Sequence, residues 1–201
     1  MKKSKPRNKI TRQILSYVSL FLCLTLTRFT IKGKQNVPKK GPFILAPNHI
    51  DDVDPVPVSA AIRKPITFLM AEDQAKLPWY KAWGPWSYGV VLINRKKVQI
   101  SSIKQIQKQI KKGERICIFP EGTSKDVDKK SGKRGVAYFA IKNKIPIIPV
   151  SISGTKGIIK KILKIKREQM NIVFGNPIFV KKEEKEEQLT KRVMAAINKS
   201  L

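Results

Sequence analysis

Histidine is almost missing from this chain, which carries one, His49, in 201 residues. Cysteine is nearly as scarce. Cys23 and Cys117 are the only two, too few for a disulfide framework and, with one histidine, too few for a zinc or iron–sulfur site. The expectation is a metal-independent protein with reduced thiols, in which Cys117 serves as a small core hydrophobe. Acidic residues are also in short supply: 14 Asp and Glu face 42 Lys and Arg, for a net charge of +28. Such a field draws anionic surfaces, whether lipid headgroups, phosphorylated substrates, acidic carrier proteins or nucleic acid. No glycine- or serine-rich linker divides the sequence, so one domain with a substantial core is expected. No G-x-G-x-x-G follows a strand-like run, and Ser131-Gly132-Lys133-Arg134 lacks the rest of a P-loop, which removes the support for nucleotide cofactors.

Long apolar runs are missing too. After Lys2, Lys3, Lys5, Arg7, Lys9 and Arg12 comes an uncharged stretch of fifteen residues, Gln13 to Thr27, closed by Arg28. As a helix it spans roughly 22 Å, short of a ~30 Å hydrocarbon core. Cationic flanks on a short apolar helix suit the membrane interface rather than a full span, and no small-residue cleavage site follows Leu26 as a signal peptide would require. Residues 1–31 are therefore expected to form a membrane-associated helical appendage, separable from a domain covering 32–201. A soluble amphipathic helix packed on the domain is the competing assignment.

What the sequence does contain is alternation. Runs rich in Ile, Val and Phe at 43–47, 66–71, 90–94, 115–119, 146–152 and 170–174 read as strands. Between them, helical patterns fall at 55–63, 98–112, 135–143 and 186–199. In the second, Ile100, Ile103, Ile106 and Ile110 are expected to line one face, with Gly113 as the stop. This order predicts an α/β domain with a mostly parallel central sheet flanked by helices, whose ligands gather at the carboxyl ends of the strands.

His49 falls at one such end, just after Phe43-Ile44-Leu45-Ala46, and Asp54 lies five residues on. A neutral-pH proton acceptor beside a carboxylate is the pairing of a general base with its orienting acid. The plainer assignment makes Asp54 only the N-cap of a helix opened by Pro55. Glu121 and Gly122, in Phe119-Pro120-Glu121-Gly122-Thr123, sit at a second strand end, suited to substrate hydroxyls or to an ordinary turn. Arg95 ends the run from Gly89, where a guanidinium can grip phosphate. Lys125, Lys129, Lys130, Lys133 and Arg134 form a basic loop beyond Glu121. Trp79, Trp83 and Trp86, with Tyr80 and Tyr88, form either a membrane-interface belt or acyl-chain wall, or a satellite core cluster.

Four blocks in this order resemble the lysophospholipid acyltransferase family of glycerolipid synthesis: Asn48 to Asp54, Gly89 to Arg95, Phe119 to Thr123, and Ile145-Pro146-Ile147-Ile148-Pro149-Val150. The lead-in from Lys32-Gly33 to Gly41-Pro42 is similar as well. The resemblance implies that His49 deprotonates an acceptor hydroxyl for attack on an acyl thioester while Asp54 orients it. It implies that Arg95, Glu121, Gly122 and Thr123, with Lys133, bind a glycerol phosphate acceptor, and that Pro149 shapes the site near the donor. Backbone amides near Gly122 become candidates for the oxyanion. No cofactor is implied, since the acyl carrier protein or coenzyme A thioester is a co-substrate. The implied acceptor is 1-acyl-glycerol 3-phosphate (lysophosphatidic acid), the partners are that lipid, the thioester carrier and an anionic membrane rather than nucleic acid, and the place is the cytoplasmic face of the cell membrane. Two positions depart from the family pattern: Asp51 where serine or threonine is common, and Ser124-Lys125 where arginine is common, which shifts phosphate recognition toward Lys133 and Arg134. Another lysophospholipid or glycerol 3-phosphate as acceptor is the alternative within enzymes. A non-catalytic basic protein on membrane or nucleic acid is the alternative outside them.

Overall fold

In the computed structural model, residues 8–72, 88, 90–94, 99–122 and 132–199 are described. Their elements run α1 (Lys9–Leu26), β1 (Arg28–Lys32), β2 (Ile44–Pro47), α2 (Pro55–Ile62), β3 (Ile66–Ala71), β4 (Val90–Ile93), α3 (Ile100–Lys111), β5 (Arg115–Cys117), α4 (Gly135–Asn143), β6 (Ile147–Ser153), α5 (Ile158–Leu163), β7 (Gln169–Phe174) and α6 (Glu186–Lys199). One seven-stranded sheet has the order β1-β7-β6-β2-β5-β3-β4. The strands β6, β2, β5, β3 and β4 run parallel. β7 reverses against β6 and carries β1 parallel to itself, so the sheet is mostly parallel, as the alternation predicted.

The period-two alternation of the strands divides the core. Ile44, Ala46, Val91, Ile116 and Ile147 face one way, onto Ile106 and Ile110 of α3, Phe139 of α4 and Leu189 of α6. Phe43, Leu45, Val90, Cys117 and Ile148 face the other, onto Val58, Ala61 and Ile62 of α2. Three layers result, α/β/α. In α3, Ile106 and Ile110 are buried as expected, but Ile100 is 71% exposed. It stands at the helix start, where the Ser102 hydroxyl instead ties the first turn to the Leu92 carbonyl at 2.9 Å. Tyr88 is a core residue, edge-on to Phe68 with ring centroids 5.8 Å apart. Trp79, Trp83 and Trp86 lie outside the described residues.

The N-terminal segment is built into the domain. The Arg12 guanidinium is buried, donating to Glu114 at 2.8 and 2.9 Å, to the Thr67 hydroxyl at 3.0 Å and to the Ile66 carbonyl at 3.2 Å. Gln13 donates to the Arg63 carbonyl past the end of α2, while Leu20 and Cys23 pack with Ala60, Val56 and Val53 nearer its start. α1 thus runs antiparallel to α2 toward the carboxyl ends of the strands. β1 pairs with β7 from Arg28 to Lys32, so the boundary expected at residue 31 falls inside a strand of the sheet.

The faces of α1 are inverted relative to an ordinary surface helix. Arg12, Ser16, Ser19 and Cys23 point inward. Ile10, Ile14, Tyr17, Phe21 and Leu24 point outward, each more than half exposed. Among the described residues no helix is long and apolar enough to cross a membrane.

Candidate active site

β2 ends at Pro47, and the pairing continues through a side chain. Asn48, 4% exposed, donates from Nδ2 to the Ile152 carbonyl at 3.0 Å, and its Oδ1 accepts from the Ile152 amide at 2.6 Å. A side-chain amide has the donor and acceptor of a peptide unit, so Asn48 extends the β2–β6 ladder one step and fixes the backbone that carries the next residue. That residue is His49.

The imidazole Nδ1 of His49 lies 2.8 Å from Oδ2 of Asp54, whose side chain is fully buried. The same oxygen accepts from the amides of Ile50 at 2.6 Å and Asp51 at 3.0 Å. This overturns the assignment of Asp54 as a side-chain cap. α2 does begin at Pro55, but Asp54 has helical backbone angles (φ −52°, ψ −32°) and makes no capping bond to the helix amides. Its carboxylate turns back into the loop before the helix because the tight turn closed by the Asp54 amide on the Asp51 carbonyl, at 3.1 Å, aims three donors at it. Asp51 does not take the acid's place at Nδ1: its carboxylate accepts from Gly157 at 3.0 Å, at the entry to α5.

From the neighbouring strand end, the Phe119 ring lies 4.4 Å from the imidazole at an interplanar angle of 32°. Phe119 to Gly122 form a four-residue turn, with the Gly122 amide donating to the Phe119 carbonyl at 3.1 Å and proline and glycine at the positions such turns favour. The Gly122 amide is thereby engaged in the turn. Gly122 has φ +81°, and a Cβ there would meet Lys133 Nζ at 2.7 Å and Cε at 2.8 Å. Only glycine leaves room for the lysine stem to cross the turn, and the Lys133 amide holds the two segments together through the Pro120 carbonyl at 2.7 Å. Glu121, Gly122 and Lys133 therefore come together beside one strand end, while His49 and Asp54 follow the adjacent strand β2. Pro149 is buried within β6, opposite Ala46. Arg95 and Thr123 lie outside the described residues, as do Lys125, Lys129 and Lys130.

Both thiols are buried. Burial, and after it the charge of Asp54, pushes the Cys117 thiol well above its ordinary value, and burial pushes Cys23 up to about 12. Neither is placed to act as a nucleophile at neutral pH. With Nδ1–H assigned as donor to Asp54, the imidazole lone pair is at Nε2. A base held in this way can take a proton from a hydroxyl and return it to a leaving group, the chemistry of acyl transfer. Asn48 is the member of the site that sequence reasoning passed over. Its signal was an amide side chain directly after a buried strand.

Comparison with known proteins points the same way. The family model described as Acyltransferase matches residues 28–153, which include β1 to β6 and the whole His49–Asp54 turn. A probable 1-acyl-sn-glycerol-3-phosphate acyltransferase of Mycoplasma pneumoniae is 30% identical over 83% of this chain and 68% of its own length. The 1-acyl-sn-glycerol-3-phosphate acyltransferase of Borreliella burgdorferi is 25% identical over 83% of this chain and 66% of its own. The chain thus spans about two thirds of the length of these relatives. In fold it is similar to the crystal structure of the 1-acyl-sn-glycerophosphate acyltransferase of Thermotoga maritima, with a TM-score of 0.72 at 24% identity, over 94% of this chain and 78% of that one. A base–acid pair at the end of a parallel strand and a family match that encloses it lead to one assignment: this chain belongs to the acyltransferase family.

Proposed function

We propose that the chain moves a fatty acyl group from acyl carrier protein or coenzyme A to 1-acyl-glycerol 3-phosphate, giving phosphatidic acid. The observation that carries the chemistry is the 2.8 Å contact between His49 and the buried Asp54. In this reading Nε2 of His49 takes the proton of the acceptor's free hydroxyl as its oxygen attacks the thioester carbon. The tetrahedral intermediate collapses with cleavage of the carbon–sulfur bond, and the imidazolium returns the proton to the departing thiolate. Asp54 holds the ring and supports its transient charge. Glu121, Gly122 and Lys133, with Arg95 and Thr123, receive the glycerol phosphate. Pro149 shapes the donor side from within the sheet.

The acceptor assignment rests on the names of the relatives, and it fits the phosphate-seeking lysine over Gly122. A lipid acceptor calls for a membrane, and the outward apolar face of α1 supports attachment to an anionic bilayer on the cytoplasmic side. Nucleic acid is not a partner in this reading. The test is acyl transfer from acyl carrier protein and coenzyme A thioesters to 1-acyl-glycerol 3-phosphate, glycerol 3-phosphate and uncharged or zwitterionic lysolipids. Preference for 1-acyl-glycerol 3-phosphate is expected; turnover confined to glycerol 3-phosphate or to another lysophospholipid would replace the acceptor and keep the mechanism.

A further inference from the structure

Beyond β6 the chain enters a short segment whose composition and exposure conflict with a purely water-facing role. From Lys156 to Arg167 it reads Lys-Gly-Ile-Ile-Lys-Lys-Ile-Leu-Lys-Ile-Lys-Arg, with no acidic residue. α5 is apolar on two sides. Ile158 is buried and Ile162 half-buried against α1 and α2, whereas Ile159 is 58% and Leu163 78% exposed on the adjacent side, about 100° round the helix and one turn apart. The turn that follows places Ile165 at φ +57° and leaves it 94% exposed. A β-branched residue at positive φ is a costly choice for a solvated turn, where glycine or asparagine serves better.

We infer that this hairpin, residues 156–167, is a second contact with an anionic lipid bilayer, set directly beside the catalytic loop. Ile159, Leu163 and Ile165 enter the interface, and Lys160, Lys164 and Lys166 lie among them for lipid phosphates. Two hydrogen-bonded ties fix its position. The Arg167 guanidinium donates to the Leu24 and Thr27 carbonyls at 2.8 and 3.1 Å, joining the hairpin to the end of α1 whose outer residues Phe21 and Leu24 are exposed. The Gly157 amide donates to Asp51 at 3.0 Å, in the turn between His49 and Asp54. The hairpin is thus joined near its start to the loop that carries the histidine, and at its last residue to the exposed end of α1. The inference rests on the proposed reading in that the acceptor is a membrane lipid, but it assigns a surface that reading did not need.

The experiment compares 201-residue chains carrying Leu163→Ser with Ile165→Asn, Lys160→Gln with Lys164→Gln and Lys166→Gln, or Phe21→Ser with Leu24→Ser on α1. Each is measured for partition onto phosphatidylcholine–phosphatidylglycerol and pure phosphatidylcholine vesicles, and for activity on vesicle-borne and short-chain soluble acceptors. Asparagine accepts positive φ, so the apolar variant keeps the turn. We expect the apolar variant to lose on the order of tenfold or more in partition on both vesicles. The lysine variant should lose about fivefold per lysine on the anionic vesicles alone. Soluble-acceptor activity and thermal stability should stay at wild-type values. Wild-type partition of both hairpin variants, with loss confined to the α1 variant, would overturn this inference and leave the proposed function standing. A raised KM for acyl carrier protein with unchanged partition would overturn it too, by giving the lysines to the donor protein. Unchanged partition in all three variants would count against membrane attachment itself.

Discussion

His49 can act as a base only if its ring is held and its cation is stabilised, and one buried carboxylate oxygen does both while also accepting two backbone amides. His49→Ala should therefore lower kcat by roughly 10²–10⁴-fold, because no second histidine exists to substitute, with only a modest fall in melting temperature, because Asp54 keeps its two amide donors. Steady-state kinetics beside a thermal melt decide it, and activity within a factor of a few of wild type would sink the mechanism. Asp54→Asn keeps an acceptor for the amides but removes the charge, so about 10²-fold of kcat should go, together with ~1–3 kcal/mol of stability. Lost stability at normal specific activity would reduce Asp54 to a structural residue. Gly122→Ala tests the turn separately: the new methyl displaces Lys133, and the positive φ adds about 1–3 kcal/mol of strain. KM for the phosphorylated acceptor should rise more than KM for the thioester; equal changes would separate Lys133 from phosphate binding. The pair His49–Asp54 was legible because the residues are near in sequence and end a readable strand. The three-donor turn on Asp54 and the ladder-extending role of Asn48 were not, since both depend on backbone direction rather than residue type.

At the scale of elements, buried strands and helices were readable because their period-two and period-3.6 patterns coincide with one-sided burial, and α4 and α6 fall on the residues the pattern predicts. β1 was not readable. Arg-Phe-Thr-Ile-Lys at a sheet edge is charged at both ends and buries only alternate residues in part, so its pairing with β7 left no apolar run. α1 misled for a different reason: the segment was legible as an apolar helix, but the side facing the domain is the polar one. Burial works to raise the Glu114 carboxyl, yet the hydrogen bonds and charge of Arg12, with Thr67 and Lys9, outweigh it and hold the group below its ordinary value. A carboxylate lowered on folding stabilises above its unfolded value, and that contribution disappears as pH falls through the still lower folded value. Arg12→Met or Glu114→Gln alone should cost about 3–5 kcal/mol, since each leaves a buried partner unsatisfied, while the double variant should cost less than the sum. Denaturant titrations from neutral pH down into the acid range should show the wild type losing this increment as Glu114 protonates and the double variant lacking that limb. Additive losses with parallel pH profiles would mean that the pair does not anchor α1.

For the whole molecule, these anchors change what an N-terminal deletion can report. Removing residues 1–30 takes away Arg12, uncovers the side of α2 against which Leu20 and Cys23 pack and strips β7 of most of its parallel partner, so the expected outcome is an unstable domain rather than the separable catalytic core that composition implied. The lever for membrane attachment is instead the outer face. Ile14, Phe21 and Leu24 are 57%, 66% and 51% exposed and donate or accept no side-chain hydrogen bonds, so replacing all three with serine leaves the Arg12 and Ser19 contacts in place. If these side chains enter a bilayer, each contributes part of the ~1.5–3 kcal/mol available to a large apolar side chain, and vesicle partition should fall on the order of 10²-fold. Activity on vesicle-borne 1-acyl-glycerol 3-phosphate should fall with it, while activity on a short-chain soluble acceptor should hold, because His49 lies at the strand ends and not on α1. Measuring both substrates with both proteins separates attachment from catalysis: equal losses would make the outer face of α1 a structural surface, and undiminished partition would move the bilayer contact elsewhere on the molecule.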